Sequence, residues 1–248
     1  MIVQEIQAKT VLGKSRVHDY TLNAYVGCAH DCAYCYARFM KRFTGHREPW
    51  GQFVDVKTNA PELLRREVAG KRAKGTVWIS GVCDAYQPLE REYGLTGQCL
   101  EILVDNGWPV TVQTKSPLVL RDIEILKRAA DARVGFTITT ADEGIRRIFE
   151  PGAPAIAARI EALGVLHEAG IETFVMVAPL LPGAEDLVSL LRDRVDSALI
   201  DRDNYAHAGW VYRKYGLEWA SDGHFFQERG ETLRAAFEEA GIPCRKLY

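Results

Sequence analysis

Six short apolar segments alternate with helix-like segments along this chain of 248 residues, and this alternation limits the fold more than any other feature. The segments predicted as strands are Thr21–Gly27, Thr76–Ile79, Val110–Thr114, Val134–Thr140, Glu172–Ala178 and Val195–Ile200. Helical periodicity predicts helices at Cys35–Phe43, after the cap residue Asn59, and at Thr96–Val104, Arg121–Ala130, Ala155–Ala169, Leu187–Arg192 and Gly230–Ala240. Strands that alternate with helices favour a parallel sheet with right-handed crossovers, so we expect an α/β fold.

Polar residues follow every predicted strand, and their positions decide between two α/β architectures. A doubly wound sheet that binds a dinucleotide has a glycine-rich phosphate turn after its first strand, and this chain has none there. Parallel barrels instead collect functional side chains at the carboxyl ends of their strands. The sequence therefore predicts a six-stranded partial (β/α)6 barrel of the TIM type. Residues 1–205 would form the core, with 1–19 as a lead-in arm, and 206–248 a short extension packed on the same domain.

Three cysteines follow the first strand in CxxxCxxC order, namely Cys28, Cys32 and Cys35. Thiolates bind soft metals, and a cubane iron–sulfur cluster usually takes four of them. Three ligands would leave one iron open to a small molecule. A zinc site completed by His30 is the alternative, although the spacing makes tetrahedral convergence awkward. A disulfide is disfavoured because no signal-peptide pattern opens the chain and cytosolic thiols stay reduced.

Charge is distributed unevenly along the chain, although the net charge is only −2. Residues 1–80 carry 13 Lys or Arg against 7 Asp or Glu. Within them, a segment without acidic residues carries aromatic side chains and the basic residues Arg38, Lys41, Arg42 and Arg47. Such a segment suits phosphates and bases, so a nucleic-acid substrate is expected there, with an ordinary solvated helix face as the alternative. No apolar run is long enough to span a membrane, and we expect a cytoplasmic monomer.

Residues 28–37 resemble the signature of the radical S-adenosylmethionine (SAM) enzymes. Further segments are similar to one branch of that superfamily, the spore photoproduct lyase-like or DNA repair photolyase-related proteins. These segments are Asp84–Glu90, Thr114–Ser116 with Arg121 and Asp122, Glu150–Pro154 with Arg159, and Pro179–Gly183. The resemblance implies a [4Fe-4S] cluster on the three cysteines and SAM on the open iron. It also implies a reducing electron donor of the flavodoxin or ferredoxin type.

The resemblance also implies roles for residues at the strand ends. Ser80 and Gly81 would approach the SAM amino group, beside Asp84 in the same turn, and Tyr34 would contact the adenine. Either Lys115 or Arg159 would pair with the SAM carboxylate, since both keep their charge. The ribose hydroxyls would meet Ser116 or Thr139.

Cys83 and Tyr86 are the candidate catalytic residues in the same turn. Spore photoproduct lyases keep a cysteine in this neighbourhood that donates a hydrogen atom to the product radical, and the resemblance gives Cys83 that role. Tyr86 is an alternative radical relay. A free cysteine is also commonly a small buried apolar residue, and a tyrosine here could simply pack under the loop.

Three functions follow from these observations. The first is an enzyme that cleaves SAM reductively and abstracts hydrogen from a nucleic acid or nucleotide. The second keeps this chemistry with a peptide or small metabolite as substrate. The third is a non-catalytic iron–sulfur or zinc regulatory protein.

Overall fold

Two sheets and nine helices organise the residues that the structure, a computed structural model, describes, which are 1–71 and 73–248. The strands are β1 (Ile2–Ile6), β2 (Leu12–Lys14), β3 (Tyr20–Leu22), β4 (Tyr25–Val26), β5 (Phe53–Lys57), β6 (Val77–Ile79), β7 (Val110–Thr114), β8 (Ala132–Thr137), β9 (Glu172–Val177), β10 (Ser197–Ile200) and β11 (Cys244–Lys246). The α-helices are α1 (Ala60–Ala69), α2 (Glu90–Tyr93), α3 (Leu95–Asp105), α4 (Ile123–Arg128), α5 (Glu143–Phe149), α6 (Ile156–Glu168), α7 (Leu187–Leu191), α8 (Gly209–Tyr215) and α9 (Gly223–Glu239). Short 3-10 helices span Tyr36–Phe43, Pro117–Asp122 and Glu218–Ala220.

The large sheet has eight strands in the order β11-β10-β9-β8-β7-β6-β3-β2. In this order, all neighbouring strands from β11 through β3 are parallel, and β2 is antiparallel to β3. Each of the six predicted strands contributes to this sheet, but the predicted count of six is wrong because β2 and β11 add one strand at either edge. In the described part of the chain β2 and β11 do not pair with each other, so no closed barrel forms. The α/β architecture is consistent with a partial barrel.

The core lies where the sheet packs against its helices. Val134 and Phe136 alternate along β8 and are fully buried, as are Leu100 and Leu103 of α3. Burial of one such side chain stabilises the fold by about 1.5–3 kcal/mol. The apolar patterns of β8 and α3, with the periods of a strand and of a helix, made both elements predictable from the sequence.

The N-terminal residues are part of the sheets, which corrects the expectation of a lead-in arm over residues 1–19. Strand β1 pairs in parallel with β5, and β4 pairs with the other edge of β5 to complete a three-stranded second sheet. Asn59 occupies the cap position of α1 as predicted, but its side chain bonds the backbone N–H and carbonyl of Ala8, each at 2.9 Å, instead of the helix. This pair of bonds fastens the N-terminal segment.

The C-terminal residues 206–248 supply α8, α9 and β11, and β11 extends the large sheet beside β10. Helix α9 begins at Gly223, earlier than the predicted start at Gly230, because Asp222 caps its first turn by accepting from Phe225 N–H at 2.7 Å. No helix in the described ranges combines the length and apolar character needed to cross a bilayer.

The first predicted strand is interrupted, and the interruption positions the cysteines. Strand β3 ends at Leu22, and β4 turns away to pair with β5. The predicted helix after Cys35 is the 3-10 helix Tyr36–Phe43. Between them Gly27 has a φ of +90°, and a Cβ there would lie 2.3 Å from the carbonyl oxygen of Phe53. Only glycine fits this position, so the chain can turn sharply into the cysteine loop.

Candidate functional site

The cysteine loop, residues 27–35, lies at the edge of the sheet where the parallel strands end. Cys28 and Cys32 are buried, Cys35 is partly buried, and all three are free thiols. Cys28 belongs to a small apolar cluster with Trp50 and Phe53, and Cys35 packs against the same cluster. The aromatic rings therefore cover one side of the thiols.

The three thiols and Cys83 lie near one another. Burial raises the pKa of Cys28, and the neighbouring Asp84, Cys32, Cys83 and Cys35 raise it further. Burial thus favours the neutral thiols, and binding of a metal by them would release their protons.

The turn after β6 holds the first half of the cysteine loop. The fully buried side chain of Gln87 donates to the carbonyl of Gly27 at 3.2 Å and accepts from Ala29 N–H at 3.0 Å. The Nδ1 of His30 lies 3.3 Å from Oδ2 of Asp84, in the same turn as Gln87. One amide side chain and one carboxylate thus fix the loop between its first two cysteines.

The end of α5 and the segment that follows it hold the loop from its other side. The carbonyl of Phe149 accepts from Ala33 N–H at 2.8 Å, and Gly152 N–H donates to the carbonyl of His30 at 3.0 Å. A Cβ on Gly152 would lie 2.3 Å from the carbonyl oxygen of Ala29, so this close approach requires glycine. Two of the segments that resemble the lyase branch, Asp84–Glu90 and Glu150–Pro154, therefore support the cysteine loop.

Glu150 and Arg159 form a fully buried ion pair beside the loop, with 2.5 Å between Nη2 and Oε2. Arg159 also donates to the carbonyls of Pro154, at 2.7 and 2.9 Å, and Thr137, at 3.1 Å. Burial alone would raise the pKa of Glu150, but the charges of Arg159 and Lys115 and the hydrogen bonds lower it. The guanidinium of Arg159 is therefore occupied by partners within the protein.

Tyr34 and Thr139 join this ion pair. The hydroxyl of Tyr34 donates to Oε1 of Glu150, and Thr139 donates to the same oxygen at 3.3 Å. Lys115 places its ammonium 5.5 Å from the centroid of the Tyr34 ring. No ion pair to Lys115 is found in the part of the chain that the structure describes, and so Lys115 differs from Arg159 in this respect.

Asp84 is buried and its carboxylate is shared among neighbouring elements. Oδ1 accepts from the hydroxyl of Thr114 at 2.6 Å and from Tyr86 N–H at 2.9 Å, and Oδ2 accepts from Lys115 N–H at 2.7 Å. Burial would raise the pKa of Asp84, but His30 and these donors hold it well below the usual range. Asp84 therefore ties the end of β7 to the cysteine loop.

Ser80, Gly81 and Cys83 lie together in the turn after β6. Ser80 has a φ of 69°, unusual for a residue other than glycine, and its Oγ lies 2.7 Å from Sγ of Cys83. The carbonyl of Gly81 accepts a hydrogen bond from the hydroxyl of Tyr36. Ser116, by contrast, caps the 3-10 helix at Pro117–Asp122 by accepting from Leu118 N–H at 3.3 Å.

Tyr86 lies in the hydrophobic core with no exposed surface. The guanidinium of Arg121 lies 6.0 Å from its ring centroid, and Arg121 in turn pairs with the buried carboxylate of Glu90 at 2.6 Å. Glu90 also accepts from the N–H groups of Thr96 at 2.9 Å and Gly97 at 3.2 Å. This environment favours a packing role for Tyr86 over a radical relay.

The predicted basic residues divide into two groups. Arg38 donates to the carbonyl of Cys32 at 3.1 Å, and Lys41 donates to the carbonyl of Arg47 at 2.9 Å, so both have structural partners. Arg42 and Arg47 are exposed. The guanidinium of Arg42 lies 4.7 Å from the ring centroid of Phe43, whose side chain is 67% exposed.

A zinc site needs four side chains that converge on one ion. In residues 1–71 and 73–248, no three Cys, His, Asp or Glu side chains converge closely enough to hold a single metal ion. His30, the expected fourth ligand, pairs through Nδ1 with Asp84, and its Nε2 has no hydrogen-bond partner among the described residues.

Comparison with known proteins assigns the family. Residues 22–192 match the radical SAM superfamily. An uncharacterized protein of Methanocaldococcus jannaschii is 35% identical over 185 residues, which cover 74% of this chain and 69% of that protein. The radical SAM Nalpha-GlyT isomerase of Pseudomonas phage M6 is 26% identical over 156 residues, which cover 63% of this chain and 32% of the isomerase. The chain belongs to the radical SAM superfamily and is an enzyme of that class.

Solved structures show the same fold. Spore photoproduct lyase in complex with dinucleoside spore photoproduct superposes with a TM-score of 0.73 and 14% identity, over 99% of this chain and 82% of the lyase. Streptococcus suis SuiB bound to the precursor peptide SuiA gives a TM-score of 0.57 and 15% identity, over 92% of this chain and 48% of SuiB. The superfamily implies a [4Fe-4S] cluster and SAM, and the resemblance noted in the sequence is confirmed.

Three buried groups at the site had no role in the sequence analysis, namely Gln87, Glu90 and Glu150. Each lies in a segment that resembles the lyase branch, and each is a polar residue with no exposed surface. Their partners are distant in the sequence; Tyr34 and Glu150, for example, are separated by 116 positions. The sequence pattern could therefore identify the segments that contain these residues, but not the residues that they contact.

We expect Glu150→Gln to lower the free energy of unfolding by about 3–5 kcal/mol, because it leaves the buried charge of Arg159 without a counter-ion. Urea unfolding under anaerobic conditions, followed by circular dichroism, measures this change. Glu62→Gln is the matched control, since Glu62 pairs with Arg66 on the surface of α1 and its side chain is 70% exposed. A change of at most about 0.5 kcal/mol is expected there. Equal effects of the two variants would contradict a central role for the buried pair.

Proposed function

We propose that this enzyme cleaves SAM reductively at a [4Fe-4S] cluster and abstracts a hydrogen atom from a nucleic-acid or nucleotide substrate. The observation that carries the proposal is the grouping of three free thiols, two buried and one partly buried, on a loop fixed from two sides, next to Cys83 and beside a basic and aromatic 3-10 helix. The strands β3 and β6 to β10 would act as the partial barrel that presents these groups at one edge.

Cys28, Cys32 and Cys35 are the residues that would hold the cluster. Their donor set suits it, because three thiolates leave one iron for SAM. When bound, the cluster and SAM together supply an electron and a 5′-deoxyadenosyl radical. Trp50 and Phe53 pack beside the thiols and limit the access of water from that side. A flavodoxin- or ferredoxin-like protein is the proposed electron donor.

Lys115 is the side chain best suited to the SAM carboxylate. Burial would lower its pKa, but the nearby Cys32 and Glu150 raise it, so the ammonium stays charged. Arg159, the other predicted candidate, is held by Glu150 and would orient Tyr34 through that carboxylate. The remaining candidates, Ser80, Gly81, Asp84, Ser116 and Thr139, would shape the SAM site through the backbone at the strand ends.

Cys83 is the proposed donor of a hydrogen atom to the substrate radical. In this step the S–H bond breaks homolytically, a C–H bond forms on the substrate, and the unpaired electron remains on Sγ. Burial raises the pKa of Cys83 to about 12, against the opposing effect of the Ser80 hydrogen bond, so the group is a thiol at neutral pH. A protonated thiol is the form that this transfer needs.

We expect Cys28→Ser, Cys32→Ser and Cys35→Ser each to lose the cluster iron and with it the formation of 5′-deoxyadenosine, since three thiolates hold the cluster. The measurement is iron content and product yield after anaerobic reconstitution with dithionite and SAM. Cys244→Ser is the control and should retain both, because Cys244 lies in β11. Wild-type protein that binds iron yet forms no 5′-deoxyadenosine would exclude the radical reaction.

We expect Cys83→Ala to retain the iron and the cleavage of SAM but to change the products formed from substrate, because the substrate radical loses its hydrogen donor. Mass spectrometry of the products under turnover with an oligonucleotide substrate measures the change. Cys99→Ala, at a fully buried position in α3, is the control for loss of a thiol. An unchanged product distribution in Cys83→Ala would rule out the donor role.

We expect Arg42→Ala to weaken binding of a single-stranded oligonucleotide and to lower the slope of log affinity against log salt by about 0.7 for one lost phosphate contact. Fluorescence anisotropy of the holoenzyme between 50 and 200 mM NaCl provides both values. Arg66→Ala is the control, since Arg66 lies on α1 with a side chain that is 64% exposed. Absence of any oligonucleotide binding at 50 mM NaCl would direct the search to a peptide or small metabolite.

A further inference from the structure

Three aromatic side chains form an exposed stack beside the site. The rings of Tyr36 and Tyr205 lie 6.0 Å apart between centroids with 24° between their planes, and those of Tyr205 and His207 lie 5.9 Å apart with 9° between theirs. Tyr205 is 59% exposed and Tyr36 is 38% exposed. We call this group the aromatic ladder. Exposed stacked rings are unusual as packing, because they bury little surface.

A left-handed backbone residue makes the outer part of the ladder possible. Ala206, which separates Tyr205 from His207, has a φ of 51°. Residues other than glycine rarely adopt this backbone conformation. The resulting turn brings the two rings face to face although they are only two positions apart. Strain of this kind on an exposed loop is typically retained where the geometry is used.

The inner end of the ladder is fixed to the reaction site. Tyr36 directly follows Cys35, and its hydroxyl donates to the carbonyl of Gly81. Gly81 belongs to the turn that holds Ser80 against Cys83. The ladder thus leads from the proposed hydrogen donor to solvent, along the loop that follows β10.

The two segments that carry the ladder continue without acidic residues. No acidic residue occurs in residues 36–47 or in residues 205–216, which carry Arg213 and Lys214. Two acids precede Tyr205 and bond within their own loop: Asp201 accepts from Arg202 N–H at 2.8 Å and from the side chain of Asn204 at 2.9 Å, and Asp203 accepts from Tyr205 N–H at 3.4 Å. Cations around flat exposed rings suit phosphates and nucleobases better than a peptide backbone.

We propose that the aromatic ladder stacks the bases of a single-stranded nucleic acid and leads the target nucleotide to the turn that carries Cys83. This inference rests on the proposed function and names its substrate as a single strand or an unpaired segment. Bases in a duplex are unavailable for stacking on side chains, whereas a single strand can place successive bases on exposed rings.

The test measures binding of a fluorescein-labelled single-stranded DNA 12-mer of mixed sequence to the reconstituted holoenzyme by anisotropy. We expect Tyr205→Ala to weaken binding about 5- to 100-fold, the range that loss of one stacked base produces, with an unchanged salt slope. Tyr205→Phe should bind as the wild type does, because it keeps the ring. Tyr215→Ala, which removes a tyrosine that is 46% exposed at the end of α8, is the matched control and should also bind normally.

A second 12-mer with abasic sites at its central positions separates stacking from a structural effect of the substitution. Wild-type protein should bind this strand more weakly than the complete strand, whereas Tyr205→Ala should bind the two strands alike. Wild-type affinity in Tyr205→Ala, together with a reduced salt slope in Arg42→Ala, would overturn the ladder and leave the nucleic-acid substrate in place. Absence of oligonucleotide binding by the wild type would overturn both.

Discussion

The structure depends on the hydrogen bonds that hold the cysteine loop. The loop belongs to no helix or strand, so its buried backbone groups need partners from elsewhere in the fold. Gln87 satisfies Gly27 and Ala29, and the segment from Phe149 to Gly152 satisfies Ala33 and the carbonyl of His30. The positions of the thiols therefore depend on the parts of the fold that carry these two segments. This dependence links the site to the whole sheet.

Buried charges give the edge of the sheet its geometry. An ion pair such as Glu150 with Arg159 gains little net stability, because desolvation of both groups offsets their attraction. The pair instead fixes the orientation of its neighbours. Arg159 donates to the carbonyls of Pro154 and Thr137, and Glu150 accepts from the hydroxyl of Tyr34. The protein uses these charges to orient the site. Because Arg159 is already paired with Glu150, the cation proposed for the SAM carboxylate is Lys115.

The proposed substrate-binding surface begins directly after the cysteine loop. The 3-10 helix that begins directly after Cys35 carries both Tyr36 and Arg42, so the cysteine loop and the proposed binding surface are one continuous segment. The loop after β10 approaches this segment through Tyr205. A substrate on this surface would lie against the turn of Cys83, which shortens the path between recognition and reaction.

Local patterns in the sequence determined the α/β class and the six central strands, and they marked the three cysteines as candidate metal ligands, because apolar runs and ligand spacing act over a few residues. They did not predict the edge strands β2 and β11, which have only three residues each and a mostly exposed or partly exposed pattern. The contacts of Glu150 with Tyr34 and of Tyr205 with Tyr36 join distant segments. Only the tertiary structure decides such contacts, since burial and hydrogen-bond partners are set by which strand ends meet at the sheet edge.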